Sequence, residues 1–252
     1  MPRQGPRIML VHGFGYDPKG KGDVNPRVKF LPSFQKALGR EDIELFPWYS
    51  VPQNAKGFAS TYFKFPPNLH RYRYAWELST AAADMLAMII GADDGPIWLV
   101  GHSLGCRVIC AAMDVLPPDR IARVLLLNGA EHQRDARLTA MATKAKVTNI
   151  CVRDDDVLKR LGSKFTPGDG VCIGYAGLGG RIKAPNWNDI FLDGLNRDIA
   201  RYRRGWELEG DDPRSYADHW FSYRFEGNWP LYQAWASGDE LLDLQPGWHS
   251  PA

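Results

Sequence analysis

The sequence predicts an α/β domain, a doubly wound, mostly parallel sheet with helices on both faces. Three observations carry that expectation. Short apolar, β-leaning runs alternate with longer amphipathic ones along most of the chain, the pattern of helices covering a parallel sheet. One of those runs, Pro96-Ile97-Trp98-Leu99-Val100, turns abruptly through Gly101-His102-Ser103-Leu104-Gly105 into a helical stretch, Cys106 to Met113. The 252 residues suit a single such domain over positions 1–252, and a hydrophobic share of 44% is enough for a sizeable core.

In chain order, Ile8 to Val11 reads as a short buried strand, and His12-Gly13-Phe14-Gly15 as the loop leaving it. Asp17 to Pro32, rich in glycine, lysine and proline, reads as a loop beside the site or as a solvated connection. Leu31 to Leu38 suits a short helix and Ile43 to Trp48 a strand. From Tyr49 to Tyr74 periodicity is lost while aromatic residues are dense: Phe58, Tyr62, Phe63, Phe65, Tyr72 and Tyr74. Pro66-Pro67 is expected to break any regular element there. A structureless run of this length is uncommon without a function. Residues 49–75 therefore read as a lid or apolar wall over a pocket, or as rings that only pin a long loop.

Glu77 to Ile90 predicts a helix with Leu78, Ala81, Ala82, Met85 and Ile89 on its buried face, and Met85 and Met88 as core filling. The helix after Ser103 stops before Pro117-Pro118, and Ile121 to Leu127 follows as a strand. Gln133 to Lys146 is compatible with a helix, and Asn149 to Val152 with a strand running into Asp154-Asp155-Asp156. Val171 to Tyr175 reads as the last strand. The glycines after it (Gly174, Gly177, Gly179, Gly180) do not fit a dinucleotide-binding fingerprint and read as a turn. Leu192, Leu195, Ile199 and Tyr202 mark a further helix, and Pro230 to Leu242 a final one.

Charge narrows the range of partners. With 31 basic and 29 acidic residues the net charge is +2, which gives no support to a nucleic-acid partner. Arg71-Tyr72-Arg73 and Arg201 to Arg204 read as solvated faces. No apolar run reaches the length needed to cross a bilayer, so no membrane partner is expected. Ile8 to Val11 is too short for the core of a secretion signal, so a cytoplasmic protein is expected. The cysteines at 106, 110, 151 and 172 lie in predicted strands or in the helix after Ser103, which favours packed, reduced thiols. No His or Cys completes a zinc pattern around Cys106 and Cys110, so neither a metal nor a cofactor is expected.

The chemistry centres on Gly101-His102-Ser103-Leu104-Gly105. A serine between two glycines at a strand-to-helix turn is a nucleophile elbow: the glycines let the backbone turn tightly, and the hydroxyl stands at the positive end of a helix. The plainer reading is a βα turn whose serine caps the helix. The stretch Arg7-Ile8-Met9-Leu10-Val11-His12-Gly13-Phe14-Gly15, taken with Val100 to Gly105, resembles the α/β-hydrolase superfamily in its esterase and lipase branch.

That resemblance implies the α/β-hydrolase fold and a catalytic Ser103. It also implies an oxyanion hole built from the backbone N–H groups of Phe14 and Leu104. The single glycine before Phe14 departs from the His-Gly-Gly-Gly loop of some esterases, which argues against bulky tertiary-alcohol esters. Only about twenty residues separate the strand ending at Leu127 from the one beginning near Asn149, which leaves no room for the large cap domain of many relatives.

A serine hydroxyl needs a base, and the base needs an orienting group. In the superfamily the order is serine, acid, histidine. Alternation along a strand cannot choose among three consecutive aspartates. Asp155, two residues before the apolar Val157, resembles the family's acid turn, and Glu131 after the preceding strand is the lesser candidate. Of the histidines, His70 and His132 precede Asp155, and His249 lies where a chain end would fray. His219 remains, in Asp218-His219-Trp220, similar to the segment around the catalytic histidine of lipase-like relatives. His12 and His102 belong to the two motifs; they are assigned with Phe63 and Phe65 to the substrate-binding surface, against a plainer role in local packing. The expectation is an esterase or small lipase acting on a small-molecule carboxylic ester. A thioesterase or acyltransferase with the same residues, or a binding protein of the same fold, is the alternative.

Overall fold

Apolar residues at consecutive positions, not alternating ones, make the central strands of this molecule, because both of their faces are covered. The computed structural model describes residues 5–16, 29–48, 50, 67–162, 166, 170–179, 184–192, 219–224 and 226–238. Six parallel strands form one sheet: β1 (Arg7–Val11), β2 (Glu44–Leu45), β3 (Ile97–His102), β4 (Ile121–Leu127), β5 (Lys146–Cys151) and β6 (Trp187–Phe191). Their order is β2-β1-β3-β4-β5-β6. Chain direction across the sheet therefore reverses between β1 and β3, and a crevice opens there at the carboxyl ends of the strands.

Each central strand feeds two cores. Met9, Val11, Leu99, Val124 and Leu126 pack on one face beneath α2 (Pro67–Gly91), α3 (Leu104–Val115) and α4 (Gln133–Ala142). Ile8, Leu10, Val100, Leu125 and Leu127 pack on the other, against Phe30 and Phe34 of α1 (Phe30–Leu38) and Leu231, Tyr232 and Trp235 of α7 (Trp229–Ser237). Two short helices, α5 (Ile173–Ala176) and α6 (Phe221–Arg224), complete the set used below.

Several elements differ from expectation. Helix α2 begins at Pro67, ten residues ahead of Glu77, so Pro67 opens the helix instead of breaking it. A proline is tolerated there because the first-turn N–H groups have no helical acceptor. Its buried face runs through Tyr72, Ala75, Trp76, Ser79, Ala82, Ala83, Leu86 and Ile90, while Met85 and Met88 are 51% and 75% exposed. Those two methionines are surface residues, not core filling. Tyr72 and Trp76 supply the large side chains that seat the helix on α3 and the sheet. The strand expected over Ile43 to Trp48 contracts to Glu44–Leu45, paired with Met9 and Leu10. Phe46 N–H still bonds to Leu10 O, but Pro47 cannot donate and the edge strand ends.

The segment expected as the last strand, Val171 to Tyr175, is not in the sheet. Cys172 makes an isolated bridge with His132, and Ile173–Ala176 is α5. The segment crosses the end of β4 so closely that a Cβ on Gly174 would lie 2.2 Å from Gly129 N. Among the described residues the last strand is β6, whose Asn188 and Asp189 hide its strand character. Asp189 accepts hydrogen bonds from Leu178 N–H, Trp187 Nε1 and Asn149 Nδ2, and so ties β6 to β5 and to the loop ahead of it. Helix α4 ends at Ala142, short of Lys146, and α7 covers Trp229–Ser237, beginning one residue before the expected span of Pro230 to Leu242 and ending earlier. The helix expected around Leu195 to Tyr202 lies outside the described residues, as do Phe58, Tyr62, Phe63, Phe65 and the 201–204 patch. All four cysteines are buried free thiols. No helix among the described residues is long and apolar enough to cross a membrane.

Candidate active site

The site is assembled at the carboxyl ends of β1, β3, β4 and β5. Ser103 follows β3 directly and holds φ 55°, ψ −122°, a conformation an L-residue adopts only under constraint. The constraint is visible in the backbone: Ser103 N–H donates to Leu127 O, while Ser103 O accepts from Cys106 N–H and Ala130 N–H. Its hydroxyl makes no capping bond to α3, although Ser103 stands at the N-cap position. Steric closeness accounts for the flanking glycines. A Cβ on Gly105 would lie 2.0 Å from Val11 O and 2.7 Å from His12 O, inside the end of β1. One on Gly101 would meet Ile109 Cδ1 at 2.8 Å.

The loop after β1 is pressed against this turn. A side chain at Gly13 would place its Cβ 2.7 Å from Ser103 Cβ, so glycine there lets the peptide leading to Phe14 lie beside the serine. Leu104, wholly buried, is the first residue of α3. The backbone N–H groups of Phe14 and Leu104 thus belong to the two segments that meet at Ser103. Phe14 also sets its ring edge-on to Tyr72 of α2, 5.8 Å between centroids.

Of the three aspartates after β5, Asp155 is turned inward and wholly buried. Asp154 and Asp156 face solvent, in ion pairs with Lys159 and Arg160. Asp155 Oδ2 accepts from His219 Nδ1 at 2.7 Å and from Asn128 Nδ2 at 2.9 Å, and Oδ1 accepts from Leu158 N–H at 3.0 Å. Burial alone would push this carboxyl up. A charge on His219, together with these three hydrogen bonds, holds it below its ordinary value. Because Nδ1 of His219 donates to the carboxylate, the lone pair of a neutral ring is on Nε2, which is buried and has no hydrogen-bond partner among the described residues.

Asn128 was not singled out by the sequence. It follows β4 with φ 46°, a left-handed conformation that asparagine tolerates, and this turn aims its amide at Asp155. The signal available was Asn128-Gly129 at a strand end, a turn pair with no chemistry of its own.

Glu131 is committed elsewhere. Arg107 Nη1 contacts both its carboxylate oxygens, at 2.9 and 3.1 Å, and His132 N–H donates to it at 2.8 Å. Arg107 also donates to Ser79 and lies over the ring of Trp76. Burial pushes the Glu131 carboxyl up to about 7, although Arg107 pulls the other way. The two-oxygen contact is that of an ion pair, so burial raises the cost of the charge without removing it.

His12 and His102 are both buried. His12 stacks between Tyr16 and Trp48, its Nδ1 donating to Gly13 O, and burial pushes its pKa down to about 4. His102 donates from Nε2 to the backbone carbonyl of His219 at 3.0 Å. A small cleft beside the turn is lined by His12, Phe14, Tyr16, His102, Trp220 and Tyr223. Phe63 and Phe65, expected on the substrate surface, lie outside the described residues. Among the described residues, no cluster of His, Cys, Asp and Glu is arranged to hold a metal ion.

Residues 79–152 match the family model described as serine hydrolase. The matched segment is similar to that family, and the all-parallel sheet with helices around it is consistent with an α/β-hydrolase-like fold. The matched segment holds Ser103 but stops short of Asp155 and His219. No curated protein matches the chain.

Proposed function

We propose that this serine hydrolase cleaves carboxylic esters through an acyl-enzyme, with Ser103 as nucleophile, His219 as general base and Asp155 as the orienting acid. The observation that carries the reading is the His219 Nδ1 to Asp155 Oδ2 hydrogen bond of 2.7 Å, which leaves Nε2 as the basic nitrogen. In the first step the Ser103 Oγ–H proton passes to His219 Nε2 as Oγ bonds to the ester carbonyl carbon. The resulting oxyanion is held by the Phe14 and Leu104 N–H groups, a reading supported by the close approach of the Gly13 segment to Ser103. Collapse breaks the carbon–oxygen bond to the alcohol, which takes the proton from His219. Water, deprotonated by the same nitrogen, then releases the acid and restores Ser103.

Two features support esters over charged substrates: the aromatic lining of the cleft, and the neutrality of the two histidines in it. The test is a fluorophosphonate, whose phosphorus an activated serine attacks with loss of fluoride, followed by a panel of ester, thioester and amide substrates. One adduct on Ser103, absent in Ser103→Ala, with esters turned over fastest, is the expected result. Labelling with thioesters preferred would move the assignment to a thioesterase. No adduct on folded protein would indicate a receptor of the same fold.

A further inference from the structure

The base is carried by an unusual mount. Ser103, Asn128 and Asp155 each follow a strand of the sheet, whereas His219 lies in a turn immediately ahead of the four-residue helix α6. Its imidazole is held by Asp155 at Nδ1. One hydrogen bond can fix the position of that nitrogen, but the ring can still swing about it unless the backbone is also held. The backbone contact comes from the residue before the nucleophile. His102 Nε2 lies 3.0 Å from His219 O, joining residues 117 apart in sequence.

The surroundings make this a built contact. His102 is 4% exposed, and its ring packs edge-on against Tyr223 of α6 at 4.9 Å and lies 5.9 Å from Phe30 and 4.8 Å from the His219 ring. Burial, and next the charge of a protonated His219, push its pKa down to about 3. The ring therefore carries a single proton, and a carbonyl acceptor requires that proton to be on Nε2. A neutral ring also adds no positive charge beside the imidazolium that His219 becomes during the reaction.

We propose that His102 is a positioning residue for the base: its Nε2–H clamps the His219 carbonyl to the end of β3, so that nucleophile and base are set from adjacent residues, the last of β3 and the one after it. This rests on the triad reading above. His102 acts through His219, which itself makes the hydrogen bond to Asp155.

The experiment compares wild type, His102→Phe and His102→Gln. Phenylalanine keeps the ring packing and loses the donor, and glutamine carries an amide N–H near the position of Nε2. Two readouts are taken: kcat and KM on a p-nitrophenyl ester, and the far-downfield proton resonance of His219 Nδ1–H bonded to Asp155. His102→Phe should lose kcat by about 10- to 100-fold, the scale of a misplaced catalytic group, with KM within about threefold. Its Nδ1–H resonance should broaden or vanish, while His102→Gln restores the resonance and recovers kcat to within about tenfold. A folded His102→Phe with wild-type kcat and an intact resonance overturns the inference. Should His102→Phe not fold, a folded His102→Gln decides: kcat within about tenfold supports the clamp, and a larger loss overturns it. If wild type itself fails to turn over esters, the triad reading has failed, and the resonance comparison still decides whether His102 holds His219.

Discussion

At the scale of single residues, two buried carboxylates compete for the role of acid, and their partners separate them. Asp155 faces His219, whereas Glu131 is spent on Arg107. Asp155→Asn should therefore lower kcat by about 10³–10⁴-fold, since the amide stabilises neither the correct tautomer nor the imidazolium. Glu131→Gln should keep kcat within about tenfold of wild type but cost roughly 3 kcal/mol of stability in urea unfolding, because Arg107 is left without its counter-ion. A dead Glu131→Gln beside an active Asp155→Asn would reverse the assignment. The depressed pKa of Asp155 adds a pH dependence. Its folded value lies below the ordinary 3.8, so its ionised form stabilises the fold above that value, and this contribution is lost as pH falls through the folded pKa. The stability gap between wild type and Asp155→Asn should narrow in acid; a gap independent of pH between 7 and 3 would contradict this.

At the scale of elements, α2 shows what decides a helix's buried face. Its methionines at 85 and 88 look apolar enough to bury, yet the face that meets α3 and the sheet is set by Tyr72, Trp76 and Leu86. Leu86→Ala should cost about 2–5 kcal/mol, the range for emptying a packed leucine site. Met88→Ala should change stability by no more than about 0.5 kcal/mol. Paired thermal melts check both, and comparable losses would mean that the helix is rotated from the orientation described here.

At the scale of the whole molecule, the strand order creates the site. Reversal between β1 and β3 opens the crevice into which the His12-Gly13-Phe14 loop and the Ser103 turn both project. At Gly105, α3 meets β1 directly, since β1 ends where its side chain would be. Gly105→Ala should force β1 and α3 apart, at a cost of about 1–3 kcal/mol or more, and should slow fluorophosphonate labelling of Ser103 by separating the Phe14 and Leu104 N–H groups proposed as oxyanion donors. A variant with wild-type stability and labelling would show that the two segments do not need this approach.

What the sequence determined by itself is local. Continuous apolar runs define strands covered on both sides, and two glycines around a serine define a turn that only small residues permit; β1, β3, β4 and the Ser103 turn were legible for that reason. Asp155 was legible only through its likeness to an acid turn, because alternation cannot separate three adjacent aspartates. Other features depended on tertiary contacts. Strand β6 carries Asn188 and Asp189, and Asp189 finds its hydrogen-bond donors in Asn149 and Leu178, outside the strand, so no local pattern marks it. Val171 to Tyr175 has strand composition, but its glycine is needed to cross over β4, and it became a helical turn. The site follows the same division. The proposed nucleophile is written in five consecutive residues. The contacts of its partners join Asp155 to His219 across 64 positions and His102 to His219 across 117, and only the folded chain brings them within hydrogen-bond reach.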